Sequence, residues 1–229
     1  MKTCFITGAG RGIGAALATK LAGREFKVGI NYRSSQASAQ ALAAGIRTNG
    51  FLSELFPGDL TSDEGVAGLA LQVKSLFGKL DLFIHNAALP LDLKPLSQLD
   101  WVGDVIPQLD VAARGFLNCM QHLTPLMHRD SQVIVILSEA LFEGSPSRMG
   151  SYLAAKGALL GLARAAKSEL QSKGIRVDWA SPTLTQTELL HNYDDRTLEI
   201  LGSQLPQGRL KTPEETAEDI LKIVTCSAD

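Results

Sequence analysis

Short apolar runs and helical stripes alternate along almost the whole chain. Residues 2–7 form a β-type run, and residues 12–22 follow with Ile13, Leu17 and Leu21 spaced as one helical face. The same alternation continues with a strand at 26–32, an Ala-rich helix at 36–49, a strand at 51–56 and a helix at 62–77. A strand at 80–85, a helix at about 109–127, a strand at 132–137, a long Ala/Leu helix at 150–172, a strand at 175–180 and a last helix at 213–225 complete the reading. Lys173-Gly174 stops the long helix, and Thr212-Pro213-Glu214-Glu215 opens the last one with a capping box. Runs such as Gln132-Val-Ile-Val-Ile-Leu137 are apolar on both faces, which fits strands of a parallel sheet covered by helices on each side. The pattern therefore predicts an α/β, doubly wound parallel sheet. With no linker or repeat in sight, residues 1–229 read as one domain. The one long irregular stretch is 182–211, and a loop of that length in such a domain is expected to carry function.

Composition narrows the function class. The 229 residues are 45% hydrophobic and 20% charged, with a net charge of −2, so neither disorder nor a nucleic-acid or anionic-membrane surface is indicated. Apolar runs are strand-sized, too short to span a bilayer, and Met1-Lys-Thr-Cys-Phe-Ile-Thr-Gly8 is too short for a signal segment. Cys4, Cys119 and Cys226 are scattered and odd in number, which suits a reducing, cytoplasmic setting. His85, His122, His128 and His191 have no ligand spacing, and Glu139 and Glu143 add too little for a metal site, so none is expected.

Chemistry enters at the first strand-to-helix turn, Thr7-Gly8-Ala9-Gly10-Arg11-Gly12-Ile13-Gly14. Glycines there permit a tight turn and close approach of a pyrophosphate, and the helix N-terminus beyond offers unpaired N–H groups. The second strand ends in Asn31-Tyr32-Arg33-Ser34, without the acid that would bind a ribose 2′-hydroxyl. Arg33 and Arg11 can instead flank a 2′-phosphate, so NADPH is the expected cofactor. Further on, Tyr152 and Lys156 lie four apart on a helix and share a face. A nearby ammonium favours the phenolate, so the Tyr152 pKa is expected to fall and the phenol to exchange a proton with a carbonyl oxygen.

The glycine turn, Gly58-Asp59-Leu60, His85-Asn86-Ala87-Ala88, Tyr152-x-x-x-Lys156 and Ser181-Pro182-Thr183 with Thr187 stand in one order. Together they resemble the short-chain dehydrogenase/reductase family in its single-domain branch, and most of all its bacterial 3-ketoacyl reductases. The resemblance implies a Rossmann-like fold and a cofactor bound by Gly8, Arg11, Gly12, Ile13, Gly14, Arg33, Ser34, Asp59, Leu60, Asn86, Ala87, Tyr152, Lys156, Pro182 and Thr187. Asp59 would meet adenine, Pro182 and Thr187 the nicotinamide end, and Lys156 the nicotinamide ribose.

Two positions depart from the family. Its Ser, which hydrogen-bonds the substrate oxygen, stands thirteen residues before the Tyr; here that position is Glu139, with Ser138 beside it. Its relay Asn falls on Ala112, which has no polar side chain. Three readings stay open: Ser138 serves after a bend in the strand end, a neutral Glu139 serves as donor, or hydride transfer is impaired. The family also continues into a seventh strand, whereas this sequence stops just before it, so six strands are expected with the sixth at an edge. The expectation is an NADPH-dependent oxidoreductase that reduces a ketone, on a small-molecule or acyl-carrier-linked substrate, with 183–211 as substrate loop. It is expected to be a homodimer through the helices near 109–127 and 150–172, with no nucleic-acid or membrane partner. The alternatives are a cofactor-binding partner subunit, or a Tyr/Glu acid–base enzyme such as a dehydratase.

Overall fold

Alternate residues of the central strands point to opposite faces, and both faces are apolar. In the computed structural model, which describes residues 1–142 and 147–225, six parallel strands form one sheet in the order β3-β2-β1-β4-β5-β6. Glu143 and Cys226 lie outside the described residues. The strands are β1 (Lys2–Ile6), β2 (Phe26–Tyr32), β3 (Ser53–Pro57), β4 (Leu80–His85), β5 (Met127–Ile136) and β6 (Arg176–Ala180). Cys4, Ile6, Val28, Ile30, Ile84 and Ile134 face α1 (Gly12–Ala22), α2 (Gln36–Thr48) and α8 (Pro213–Leu221). Phe5, Phe83, Val133, Val135 and Val177 face α3 (Asp63–Phe77), α5 (Gly115–Leu123) and α6 (Gly150–Leu170). This two-faced burial is why the strands carry so little polar alternation.

Local signals set the ends. Ser62 caps α3 by accepting the Gly65 N–H at 3.1 Å, and Thr212 with Glu215 forms the expected capping box of α8. Gly174 stops the chain after α6 at φ +71°, in the left-handed region.

Several expectations need correction, among them the start of β5 at Met127 and the end of α8 at Leu221. The helix expected at 109–127 starts earlier, at Trp101. It runs through a π-helical turn (Trp101–Val105), α4 (Ile106–Leu109), a second π-helical turn (Asp110–Arg114) and α5. Gly103 and Pro107 look like breakers, yet Asp100 caps this end by accepting the Gly103 N–H at 2.6 Å, and Pro107 sits in the first turn of α4. The stretch 182–211 is not irregular throughout, because α7 (Asp195–Ser203) forms within it, capped by Asp194. Only Leu198 and Leu201 mark its apolar side, too few to stand out as a periodic stripe. Last, β3 begins at Ser53, since Phe51 and Leu52 are exposed beside the turn at Gly50.

Among the described residues no helix is long and apolar enough to cross a membrane. Cys4 and Cys119 are buried and form no disulfide among the described residues, and burial pushes the Cys119 thiol far above its ordinary pKa.

Candidate active site

The chain leaves β1 toward one side of the sheet and β4 toward the other, and a crevice opens between their C-terminal ends. A cleft of about 800 Å³ fills it, lined from Gly8 and Arg33 at one end to Leu201 and Leu205 at the other.

The cofactor end is built on the glycine turn. Gly8 (φ +62°) and Gly12 (φ +56°) adopt conformations that suit glycine, and a Cβ on Gly8 would lie 2.8 Å from the Ala87 Cα. The turn thus lies directly against the end of β4. Asn31, which the sequence reading passed over, organises the other side. Its side chain accepts the Gly8 N–H at 3.3 Å and donates to the carbonyls of Phe56 (3.0 Å) and Gly58 (3.3 Å). A buried amide bridging three strand ends leaves no periodic trace, though an Asn in so apolar a strand is a usable signal.

No side chain caps the N-terminus of α1, so its first N–H groups are free for an anion. Arg11 and Arg33 are exposed and line the same cleft as Ser34, Asp59 and Leu60. The Arg33 guanidinium is 3.6 Å from Asp59, whose other oxygen accepts the N–H and hydroxyl of Thr61, both at 2.9 Å. Burial raises the Asp59 pKa, but the bonds from Thr61 and Arg33 outweigh it and hold the carboxyl below its ordinary value. A narrow glycine cradle, an uncapped helix end and two guanidinium groups fit a dinucleotide with an added phosphate. Asn86, Ala87, Pro182 and Thr187 line the middle of the cleft.

At its floor stand Tyr152, Lys156 and Ser138. Tyr152 and Lys156 are buried on one face of α6, with the Lys156 Nζ 5.7 Å from the Tyr152 ring centre. Lys156 donates to the Ile136 carbonyl at 2.7 Å, which leaves two of its protons for a ligand. Burial lowers the Lys156 pKa to about 8. It also pushes the Tyr152 phenol up to about 12, against a smaller lowering by the hydrogen bond shared with Ser138. The expected fall of the Tyr152 pKa is therefore not seen, because desolvation of the phenolate exceeds what its neighbours return. The phenol stays protonated at neutral pH, the state a proton donor needs.

The backbone departs from the strand at Ser138 and Glu139. The ladder of β5 ends at Ile136, and the N–H groups of Leu137 and Glu139 go on to bond Ala180 (2.8 Å) and Pro182 (3.0 Å). Ser138 then opens a short helical turn, its hydroxyl accepting the Ala140 N–H at 3.4 Å. Ser138 meets Tyr152, whereas Glu139 is exposed on the rim. Glu139 lines the same cleft, but the burial expected of it is not seen. Ala112 is buried in the second π-helical turn.

The far end of the cleft is apolar. Leu89, Leu91, Met149, Leu184, Leu190 and Leu201 line it, the last from α7. Among the described residues no cluster of three or more His, Cys, Asp or Glu can hold a metal ion. His122 pairs with Asp63 (2.8 Å) and His128 with Asp81 (2.9 Å), while His191 bonds the Glu188 carbonyl at 3.0 Å.

A family model described as enoyl-(acyl carrier protein) reductase matches residues 8–226. The chain is 30% identical over 222 residues to a 3-oxoacyl-(acyl-carrier-protein) reductase of Staphylococcus aureus, covering 96% of this chain and 89% of that one. It is also 30% identical over 228 residues to cis-4-hydroxycyclohexanecarboxylate dehydrogenase of Sinomonas cyclohexanicum, covering 99% and 90%. A crystal structure of a short-chain dehydrogenase from Burkholderia cenocepacia in complex with NADP superimposes with a TM-score of 0.88 at 25% identity, covering 97% of this chain and 90% of that one.

Proposed function

The chain belongs to the short-chain dehydrogenase/reductase family of oxidoreductases, and from that premise we propose that it reduces a ketone to an alcohol with NADPH. The observation that carries the reading is the buried Tyr152 beside Lys156 on α6, lining with Ser138 a cleft that begins at the glycine turn.

When bound, the nicotinamide supplies the hydride. The chain's own residues do the rest. Gly8, Gly12, Ile13, Gly14 and the free N–H groups of α1 hold the pyrophosphate, and Arg11, Arg33 and Ser34 hold the 2′-phosphate. Asp59 and Leu60 border the adenine, and Asn86, Ala87, Pro182 and Thr187 border the nicotinamide half. Lys156 uses its two free protons on the nicotinamide ribose. Ser138 donates to the substrate oxygen, and Tyr152 gives that oxygen its proton as charge develops there. The exposure of Glu139 supports this reading over a Tyr/Glu dehydratase.

The substrate is an apolar ketone, such as a 3-oxoacyl thioester, its chain lying along Leu91, Met149, Leu184 and Leu201 under the loop 183–211. The protein acts as a homodimer. Ala154, Gly157, Ala158, Gly161 and Ala165 form one exposed stripe on α6, and Leu117 is exposed on α5, which suits close packing of the same helices from a second copy. The test is ketone-dependent oxidation of NADPH over a panel of 3-oxoacyl thioesters and cyclic ketones. The reading predicts turnover with apolar members; NADPH binding without turnover of any member sinks it in favour of a partner subunit.

A further inference from the structure

His85 ends β4, and its side chain is fully buried. Its Nε2 lies 3.0 Å from the carbonyl oxygen of Ala112, and its Nδ1 lies 3.3 Å from the Thr7 hydroxyl. A carbonyl only accepts, so Nε2 carries the proton and donates it. The Thr7 hydroxyl already accepts the N–H groups of Asn86 (2.9 Å) and Ala87 (3.1 Å). Its own proton therefore turns to Nδ1. The other acceptor in reach, the Ile84 carbonyl, is farther at 3.5 Å and already receives the Thr7 N–H at 3.0 Å. One tautomer satisfies every partner. Burial and the neighbouring Lys156 charge also oppose a second proton, holding the His85 pKa at about 3.

The three segments joined by this ring are the ones that frame the cleft. Thr7 opens the glycine turn. Asn86 and Ala87 form the opposite lip, and the Asn86 amide returns to the carbonyls of Thr7 (3.0 Å) and Gly8 (3.1 Å). Ala112 sits at the centre of a π-helical turn, a rare departure from the regular helical ladder that occurs often at functional sites. Phe83 and Phe116 hold the imidazole from two sides, with ring centres 6.1 Å and 5.4 Å away. The Ala112 side chain has no polar group to fix this turn.

We propose that His85, in the Nε2–H tautomer, is a positioning residue that locks the π-helical turn at Ala112 to both lips of the cofactor cleft. Its kinetic consequence rests on the reductase reading above; its consequence for NADPH binding needs only the cleft.

The test begins with ¹⁵N NMR of the histidines in the wild-type protein at neutral pH. A bare Nδ1 and a protonated Nε2 at His85 are expected, and the reverse tautomer or an imidazolium overturns the proposal. His85→Phe keeps an aromatic ring and removes both hydrogen bonds, whereas His85→Gln retains a donor for Ala112. His85→Phe is expected to weaken NADPH about tenfold and to lower kcat by a similar factor with the ketone KM unchanged, a loss on the scale of a buried hydrogen bond. His85→Gln is expected to recover most of both. A merely structural role would lower the melting temperature of His85→Phe and leave NADPH affinity and kcat of the folded protein at wild-type values, and that result overturns the proposal. Should His85→Phe not fold, the tautomer and the Gln variant decide. If the wild type reduces no ketone, the reductase reading fails, while the NADPH titrations still decide the role of His85.

Discussion

Tyr152 illustrates how burial sets the direction of chemistry at a single residue. Its phenol, pushed up to about 12, stays protonated far above neutrality, while the Lys156 ammonium beside it has a pKa lowered to about 8. Below about 8 Lys156 carries the charge that is proposed to bond the ribose, and as pH rises through that value the charge is lost. The pH profile of kcat/KM for ketone reduction is therefore predicted to fall through a basic limb near 8 that belongs to Lys156; a profile flat to pH 10, the ordinary tyrosine value, contradicts this assignment. At the next position along the cleft, Ser138→Ala removes the donor to the substrate oxygen and should cost about 10²-fold in kcat. Glu139→Ala, on the exposed rim, should stay within about twofold. Steady-state kinetics on the pair reads the difference, and the opposite ranking returns the role to Glu139. The sequence pointed to Tyr152 and Lys156 through their helical spacing, but it left Ser138 and Glu139 undecided. Only the course of the strand end, where Glu139 N–H bonds Pro182, leaves Glu139 exposed while Ser138 is half-buried in the same cleft. Asn31 and His85 were missed as organisers because their partners lie far away in sequence.

Among the elements, those with strong periodicity or clear caps were legible and those built by tertiary contact were not. The strands β2 and β4 and the helix α1 follow directly from apolar runs and stripes. The π-helical turns and α7 do not, since the first depends on contacts such as His85 with Ala112 and the second carries too short a stripe. The turn after β2 offers the cleanest test at this scale. Arg33 is exposed there and tied only loosely to Asp59, so it is free to swing onto a phosphate. Arg33→Ala is predicted to weaken NADPH about tenfold and leave NADH within about twofold, as loss of a charge-assisted hydrogen bond implies. Calorimetric titration of both cofactors checks it. Equal loss for the two would show that Arg33 does not distinguish the 2′-phosphate.

For the whole molecule, the parallel order of strands places the cleft at the C-terminal ends of β1 and β4 and leaves the small-residue face of α6 on the outside. That face is predicted to carry the dimer. Gly161 has open space around its missing Cβ, so Gly161→Arg should fold normally while its bulk and charge separate the copies. Light scattering should then fall from twice the chain mass to the chain mass; a variant that remains dimeric, or a monomeric wild type, rules this interface out. The central claim concerns the molecule as an enzyme, and it is tested most directly by the loss of NADPH absorbance with an apolar ketone, compared between the wild type and Tyr152→Phe. The account predicts turnover by the wild type, a loss of about 10²-fold or more in kcat for the variant, and unchanged NADPH affinity. Turnover by Tyr152→Phe at the wild-type rate would contradict it.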